Sequence, residues 1–172
     1  MANNLSKYAV IRVAPTLDTS AYADDDVFFN STEIPSAVLG NGGSSKLIGV
    51  TILNEDDVAH DIDIIFMQKS TDLGTINDAV GSNSKWTNAL AKAAGVLGVI
   101  KIDWSDNVVD MVNNLLFTAK AGDQTGNGEG FPMLLQAEDD SSSVYMAAVS
   151  RSGKGDYFKK LYESKGWKVE EV

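Results

Sequence analysis

Apolar and polar residues alternate with a period of two along much of the chain, and this pattern predicts β-strands. Residues two apart on a strand share a face, so the alternation marks one buried side and one side in contact with water. Pro15 ends the first alternating segment, because proline has no N–H to donate to a neighbouring strand. The predicted strands are 8–14, 26–30, 46–54, 58–67, 96–103, 115–119, 131–137 and 144–149.

The segment 58–67 carries the clearest of these patterns. One face holds His60, Ile62, Ile64 and Phe66, and the other holds Asp61, Asp63, Ile65 and Met67. We therefore expect Ile62, Ile64 and Phe66 to be buried, since a one-residue slip would reverse the two faces. The two aspartates are expected to be exposed or at an interface. The short acidic connection 54–57 predicts a hairpin between this strand and the one at 46–54.

A short helix is predicted from Lys85 to Ala94, where apolar side chains recur at spacings of three and four. Ser84 is a suitable N-cap, because its hydroxyl can accept a hydrogen bond from a free helical N–H. Gly95 is a suitable stop, since glycine readily adopts the left-handed conformation that ends many helices.

Two segments leave alternatives open. Residues 108–119 fit either a helical turn or a strand, with the strand favoured at 115–119. Beyond Gly155, the pattern fits a short helix followed by a strand at 167–172, or two strands.

Together these elements predict an all-β fold, an antiparallel β-sandwich of jelly-roll type with one short helix. An α/β fold would need long amphipathic helices between the strands, and the pattern has none. The glycine-rich stretches at 40–45 and 122–130 lack the spacing of phosphate-binding loops and are interpreted as connections. We expect one domain over residues 1–172, with 153–172 as a possible assembly or docking segment.

Composition narrows the classes of function. The 172 residues include 14 Lys and Arg against 24 Asp and Glu, a net charge of −10, which argues against a nucleic-acid partner. The absence of cysteine excludes disulfides, thiolate zinc sites and a cysteine nucleophile. No apolar run approaches the ~20 residues that cross a bilayer, and the first residues do not form a secretory signal. We expect synthesis in a cytoplasm and no membrane partner.

Candidate catalytic chemistry is sparse. His60 is the single histidine, and its place beside apolar residues favours a packed structural role. Acidic clusters at 24–26, 55–57 and 138–140 fall in predicted turns, where such side chains bond nearby backbone; Ca²⁺ ligation is the alternative. A pair of carboxylates acting on a glycan stays open, because such pairs are set by space. We expect no enzymatic activity, no cofactor, and no catalytic or metal-binding residue.

Charge is distributed unevenly along the chain. Residues 1–86 carry 5 basic and 12 acidic side chains, whereas residues 151–168 carry 6 basic and 2 acidic ones. The basic segment fits a solvated, lysine-guarded sheet edge, or a docking surface for an acidic partner or a second copy. The candidate interface comprises Arg151, Lys154, Tyr157, Phe158, Lys159, Lys160, Tyr162 and Trp167.

The order of segments supports a resemblance. An acidic stretch leading into Phe28 and Phe29 is followed by the alternating segments at 47–57, 62–67, 97–102 and 144–149. This succession, over roughly residues 8–153, resembles small β-sandwich structural proteins of tailed bacteriophage virions, of the capsid decoration or cement type. The resemblance implies a virion protein, assembled in the host cytoplasm, that stabilises the outer shell by non-enzymatic contacts. It implies partners among major capsid protein or other virion subunits, and a homo-oligomer, with a trimer favoured.

Alternative functions remain at this point. A tail, neck or fibre component would belong to the same structural class. A carbohydrate-binding β-sandwich module could use Trp86, Trp104 and Trp167 as a stacking platform, although tryptophans are more often found in cores. A glycan hydrolase is the third possibility.

Overall fold

The computed structural model describes residues 9–55, 59–104, 108–111, 114–120 and 130–151. Within these ranges the chain forms nine strands and one α-helix. The elements are β1 (Val27–Ile34), β2 (Ser44–Leu47), β3 (Gly49–Asn54), β4 (Ile62–Met67), α1 (Asn88–Ala94), β5 (Val96–Ile102), β6 (Val108–Asp110), β7 (Leu115–Lys120), β8 (Met133–Gln136) and β9 (Val144–Ser150).

The strands form three antiparallel sheets. The largest has the order β1-β9-β4-β5, a second has the order β3-β7-β6, and β2 pairs with β8. The predicted all-β fold of antiparallel strands with one short helix is thereby confirmed for the described residues. The jelly-roll connectivity stays a prediction.

A single large core lies between the inward faces of the three sheets. It draws Ile64 and Phe66 from β4, Ile100 from β5, Phe117 from β7 and Leu135 from β8, all at most 4% exposed. Because strands from every sheet contribute, the sheets are held to one another by apolar burial, worth about 25 cal/mol for each Å² removed from water.

A smaller core covers the opposite face of the four-stranded sheet. It joins Met67 of β4 and Ala147 of β9 to Leu73 and Ala94, which lie in the segment 72–94. The central strands are therefore buried on both faces along part of their length. This accounts for the near-continuous apolar run Ile64–Met67, which strict alternation would not produce.

Helix α1 is shorter than the predicted span. Its N-cap is Thr87, whose hydroxyl accepts a hydrogen bond from the Leu90 N–H at 3.3 Å, so the prediction of Ser84 is wrong. Ser84 instead ends a tight turn at Ser82–Ser84. The predicted stop is confirmed, because Gly95 ends the helix at a φ of 62°.

The strand prediction for 58–67 is confirmed for β4 and for its inward face. Ile62, Ile64 and Phe66 are 4%, 3% and 1% exposed. The two aspartates are half-buried and engaged within the chain. Asp61 accepts a hydrogen bond from the Trp104 N–H at 2.9 Å, and Asp63 accepts one from Arg151 Nε at 2.7 Å.

The hairpin predicted between 46–54 and 58–67 is wrong. β3 pairs over its full length with β7, from Gly49↔Lys120 to Asn54↔Leu115, while β4 lies between β5 and β9. The chain also changes partner at Ile48, so the single strand predicted at 46–54 is two strands in different sheets. Alternation reports which face is buried and carries no information about the partner strand.

The first predicted strand is also wrong over its described part. Residues 9–14 form no strand, although their sequence, Ala-Val-Ile-Arg-Val-Ala, alternates as strands do. Val10 is 90% exposed and Ile11 is 36% exposed. A strand exists only where a neighbour completes its hydrogen bonds, and none of the described residues does so here.

Candidate assembly surface

Arg151 is the one member of the predicted interface within the described residues. It follows β9 and binds two carboxylates of its own chain: its Nε lies 2.7 Å from Asp63 Oδ2, and its Nη1 contacts Asp25 Oδ1. Its backbone N–H donates to the Asp61 carbonyl at 2.9 Å. Arg151 therefore ties the end of β9 to β4 and to the residues before β1.

The ion pairs also set the charge state of this arginine. The hydrogen bond that Arg151 donates to Asp63 is the main cause that raises the pKa of Arg151 above its ordinary value, with nearby acidic charges adding to the effect. The two carboxylates therefore favour the charged form of the guanidinium. Its two bound carboxylates leave it less available to an external acidic partner than a free arginine would be.

The other seven predicted interface residues, Lys154, Tyr157, Phe158, Lys159, Lys160, Tyr162 and Trp167, lie outside the described residues. The prediction that the basic segment makes an assembly contact stays a prediction. What the structure adds is the place from which the segment starts, at the acidic corner formed by Asp25 and Asp63.

The single histidine belongs to a packed cluster beside that corner. His60 stacks on Phe28 at 5.4 Å between ring centroids, and Tyr22 meets His60 edge-on at 5.9 Å. His60 Nε2 lies 3.1 Å from Ser150 Oγ. Ser150 has no exposed surface, so this serine–histidine pair is closed to a substrate unless the surrounding strands move. The geometry is that of a buried serine hydroxyl whose hydrogen bond is made to a half-buried histidine.

The acidic clusters do not converge in the described part of the chain, where no group of three His, Cys, Asp or Glu side chains could hold a metal ion. Glu138, Asp139 and Asp140 line a polar depression of about 460 Å³ beside Gln68. There Glu138 is already paired with Lys69 at 3.1 Å. In the same part of the chain, no helix is long and apolar enough to cross a membrane.

An exposed row of apolar side chains crosses the outer face of the three-stranded sheet. Leu53 of β3 is opposite Leu116 of β7, and Leu116 is opposite Val109 of β6. Directly opposed residues of antiparallel strands share a face, so these three form one row, here called the outer apolar row. Leu53 is 55% exposed and Val109 is 57% exposed.

The surroundings of the outer apolar row are those of a rigid, mostly solvated sheet face. Thr51 and Thr118 lie in the next row, with their hydroxyl oxygens 3.3 Å apart. The opposite face of the same strands enters the main core through Phe117, which has no exposed surface and packs on Trp104 at 5.4 Å. Because the inner face of this sheet is packed into the main core, its outer side chains project from a backbone that is held in place.

Sequence reasoning missed this row. Its signal was present in the paired apolar residues Ile52-Leu53 and Leu115-Leu116, where a one-sided strand would place a polar residue next to each buried one. The register between β3, β6 and β7 was needed to show that Leu53, Leu116 and Val109 lie side by side.

Comparison of the chain with protein-family models, with curated proteins and with solved structures finds no match.

Proposed function

We propose that this chain is a structural protein of a tailed-bacteriophage virion, a capsid decoration or cement protein that binds the outer shell and stabilises it through non-enzymatic contacts. Its partners are major capsid protein or other virion subunits, and it acts as a homo-oligomer, with a trimer favoured. It is assembled in the host cytoplasm and ends in the virion. The arrangement of the segments in sequence suggests this class.

The outer apolar row is the observation that carries the proposal. Leu53, Leu116 and Val109 hold exposed apolar area on a sheet whose other face is locked into the core. Contiguous exposed apolar side chains mark protein contact sites, and a sheet whose backbone is already ordered has less entropy to lose when a partner covers it. A protein that clamps a shell by contact alone needs such a surface.

Two further observations favour a contact protein over the alternatives. Trp104 is 5% exposed and packed on Phe117, so its ring cannot serve a sugar-stacking platform. Trp86 is packed against the smaller core. Ser150, the hydroxyl partner of His60, has no exposed surface, which speaks against its use as a hydrolytic nucleophile.

Quantitative mass spectrometry of virions made from the genome that encodes the chain tests the proposal. A decoration protein is expected at a copy number comparable with that of the major capsid protein. A few copies per particle would move the chain to the tail, neck or fibre. Absence from purified virions would refute the structural role.

The contact surface is tested by adding purified protein back to particles made without it. Leu53→Glu should weaken binding strongly, because it places a charge in an apolar contact. The matched control is Leu134→Glu, since Leu134 is 58% exposed but lies on β8 in a different sheet. Equal binding by both variants would show that the outer apolar row does not face the shell.

A further inference from the structure

The described residues contain one segment that alternates like a strand and has no strand partner. Residues 9–14, here called the N-terminal arm, run Ala-Val-Ile-Arg-Val-Ala and end at Pro15. They form no strand, and Val10 is 90% exposed. A segment that is rich in β-branched residues and pairs with no strand among the described residues can add to a sheet elsewhere.

The base of the arm is fixed to the body of the protein. The Asp18 N–H donates to Tyr22 Oη at 2.6 Å, and Asn77 Nδ2 donates to Asp18 Oδ1 at 3.3 Å. Tyr22 in turn packs on Phe28 of β1 at 4.7 Å. The segment that follows the arm is therefore held at Asp18, and the fixed φ of Pro15 limits the directions that the arm can take.

The two edge strands of the four-stranded sheet, β1 and β5, are each approached at one point by their own chain. At β1, the Val27 N–H donates to the Asp78 carbonyl and the Asn77 N–H donates to the Val27 carbonyl, both at 2.9 Å. At β5, Gly130 lies so close that an added Cβ would stand 3.1 Å from the Val99 carbonyl oxygen. Neither edge offers an unobstructed row of backbone groups to another strand.

The outer edge of β3 is different. β3 pairs on one side with β7, and no other described strand pairs with its second side. It has six residues, as the arm does, whereas β2 and β8 have four each and β6 has three. Along Gly49–Leu53, alternate N–H and C=O groups point away from β7, enough to hold a second strand of similar length.

We propose that the N-terminal arm of one copy adds as an edge strand to β3 of a second copy. This proposal specifies how copies of the chain contact one another, and it depends only on the homo-oligomer in the proposed function. In the added strand, Ile11 and Val13 continue the inward face of Val50 and Ile52. Val10 then stands on the outer side, beside Leu53. Passing an arm from each copy to the next joins copies head to tail, which closes into a ring when the rotation permits.

Cysteine cross-linking tests the contact, since the chain has no cysteine of its own. One preparation carries Arg12→Cys, and a second, with an affinity tag, carries Thr51→Cys. The two are mixed and treated with a short thiol–thiol cross-linker, because side chains on adjacent strands lie within about 5–8 Å of each other. Only a contact between copies can join the two preparations.

The matched control replaces the second variant with Lys46→Cys, which is exposed on β2. We expect the cross-linked product to be at least ten times more abundant with Thr51→Cys than with Lys46→Cys. Equal yields would overturn the proposal, because they would report random encounters.

A second measurement uses sedimentation equilibrium. Ile11→Pro removes an N–H and breaks the arm as a strand, and it is expected to convert the oligomer to monomer with an unchanged circular dichroism spectrum. Ile11→Val keeps the strand character and should keep the oligomer. An unchanged mass for Ile11→Pro, or a monomeric parent protein, would overturn the arm contact. If the protein is a monomer and still binds particles, the arm contact is wrong and the virion role stands. If the copies cross-link but the protein is absent from virions, the virion role is wrong and the arm contact stands.

Discussion

Truncation of Ile64 measures how strongly the main core holds the sheets together. Ile64 is 3% exposed and lies in the middle of β4, opposite Ile100 of β5 on one side and Ala148 of β9 on the other. Ile64→Ala removes buried methyl and methylene groups and leaves a cavity that its close-packed neighbours can fill only in part. Changes of this kind cost about 2–5 kcal/mol.

Ile48→Ala is the matched control, because it deletes the same atoms from a side chain that is 54% exposed. Full burial of an isoleucine side chain is worth about 1.5–3 kcal/mol, so a side chain that is about half exposed should lose only about 1 kcal/mol, with no enclosed cavity. The expected difference between the two variants is therefore about 1–4 kcal/mol, which is a large share of the about 5–15 kcal/mol that stabilises a typical domain.

The assay is equilibrium unfolding in urea, followed by tryptophan fluorescence. Trp104 is 5% exposed and lies in the same core as Ile64, so its emission reports the loss of that core. With a urea slope of about 2 kcal/mol per molar, a cost of about 3 kcal/mol lowers the midpoint by about 1.5 M. Similar midpoints for Ile64→Ala and Ile48→Ala would refute the assignment of the faces of β4.

Three further predictions concern single positions. Arg151→Ala should lower the free energy of unfolding by about 1 kcal/mol, and this loss should be smaller in high salt. Lys69→Ala removes a more exposed ion pair and should change the urea midpoint little. Burial raises the pKa of Tyr22, so the folded state favours its neutral phenol. The resulting contribution to the free energy of unfolding is complete below pH about 10 and is lost as pH rises through the folded pKa. Tyr22→Phe should remove this pH dependence from the alkaline unfolding profile. Gly43→Ala should cost about 1–3 kcal/mol in thermal unfolding, because its Cβ would collide with the carbonyl oxygen of Leu39; an unchanged melting temperature would show that this turn relaxes freely.

Local pattern was sufficient for the elements whose residues obey one period and one set of end signals. The faces of β4 followed from alternation alone, because burial of Ile62, Ile64 and Phe66 is enforced by any partner that covers that side. The end of α1 at Gly95 followed from glycine's freedom to take a φ of 62°. The all-β class followed in the same way, from strand patterns with turn residues between them.

Strand partners, in contrast, were decided by the tertiary structure. The pattern at 46–54 predicts one strand, yet these residues serve two sheets, because Lys46 and Leu47 pair with β8 whereas Gly49–Asn54 pairs with β7. The hairpin expected from the acidic connection at 54–57 is replaced by pairs distant in sequence. Hydrogen bonds between strands depend on backbone groups that every residue carries, so the side-chain pattern cannot specify which strand supplies them.

The candidate surfaces depend on tertiary structure for the same reason. Residue types alone show that Leu53, Leu116 and Val109 are apolar, and that residues 9–14 are competent to form a strand. Only the register of β3, β7 and β6 decided that the three side chains form one exposed row. Only the assembled sheets decided that the N-terminal arm has no partner among the described residues, because the number of sheet edges that a chain leaves open is a property of the whole fold and of no single segment.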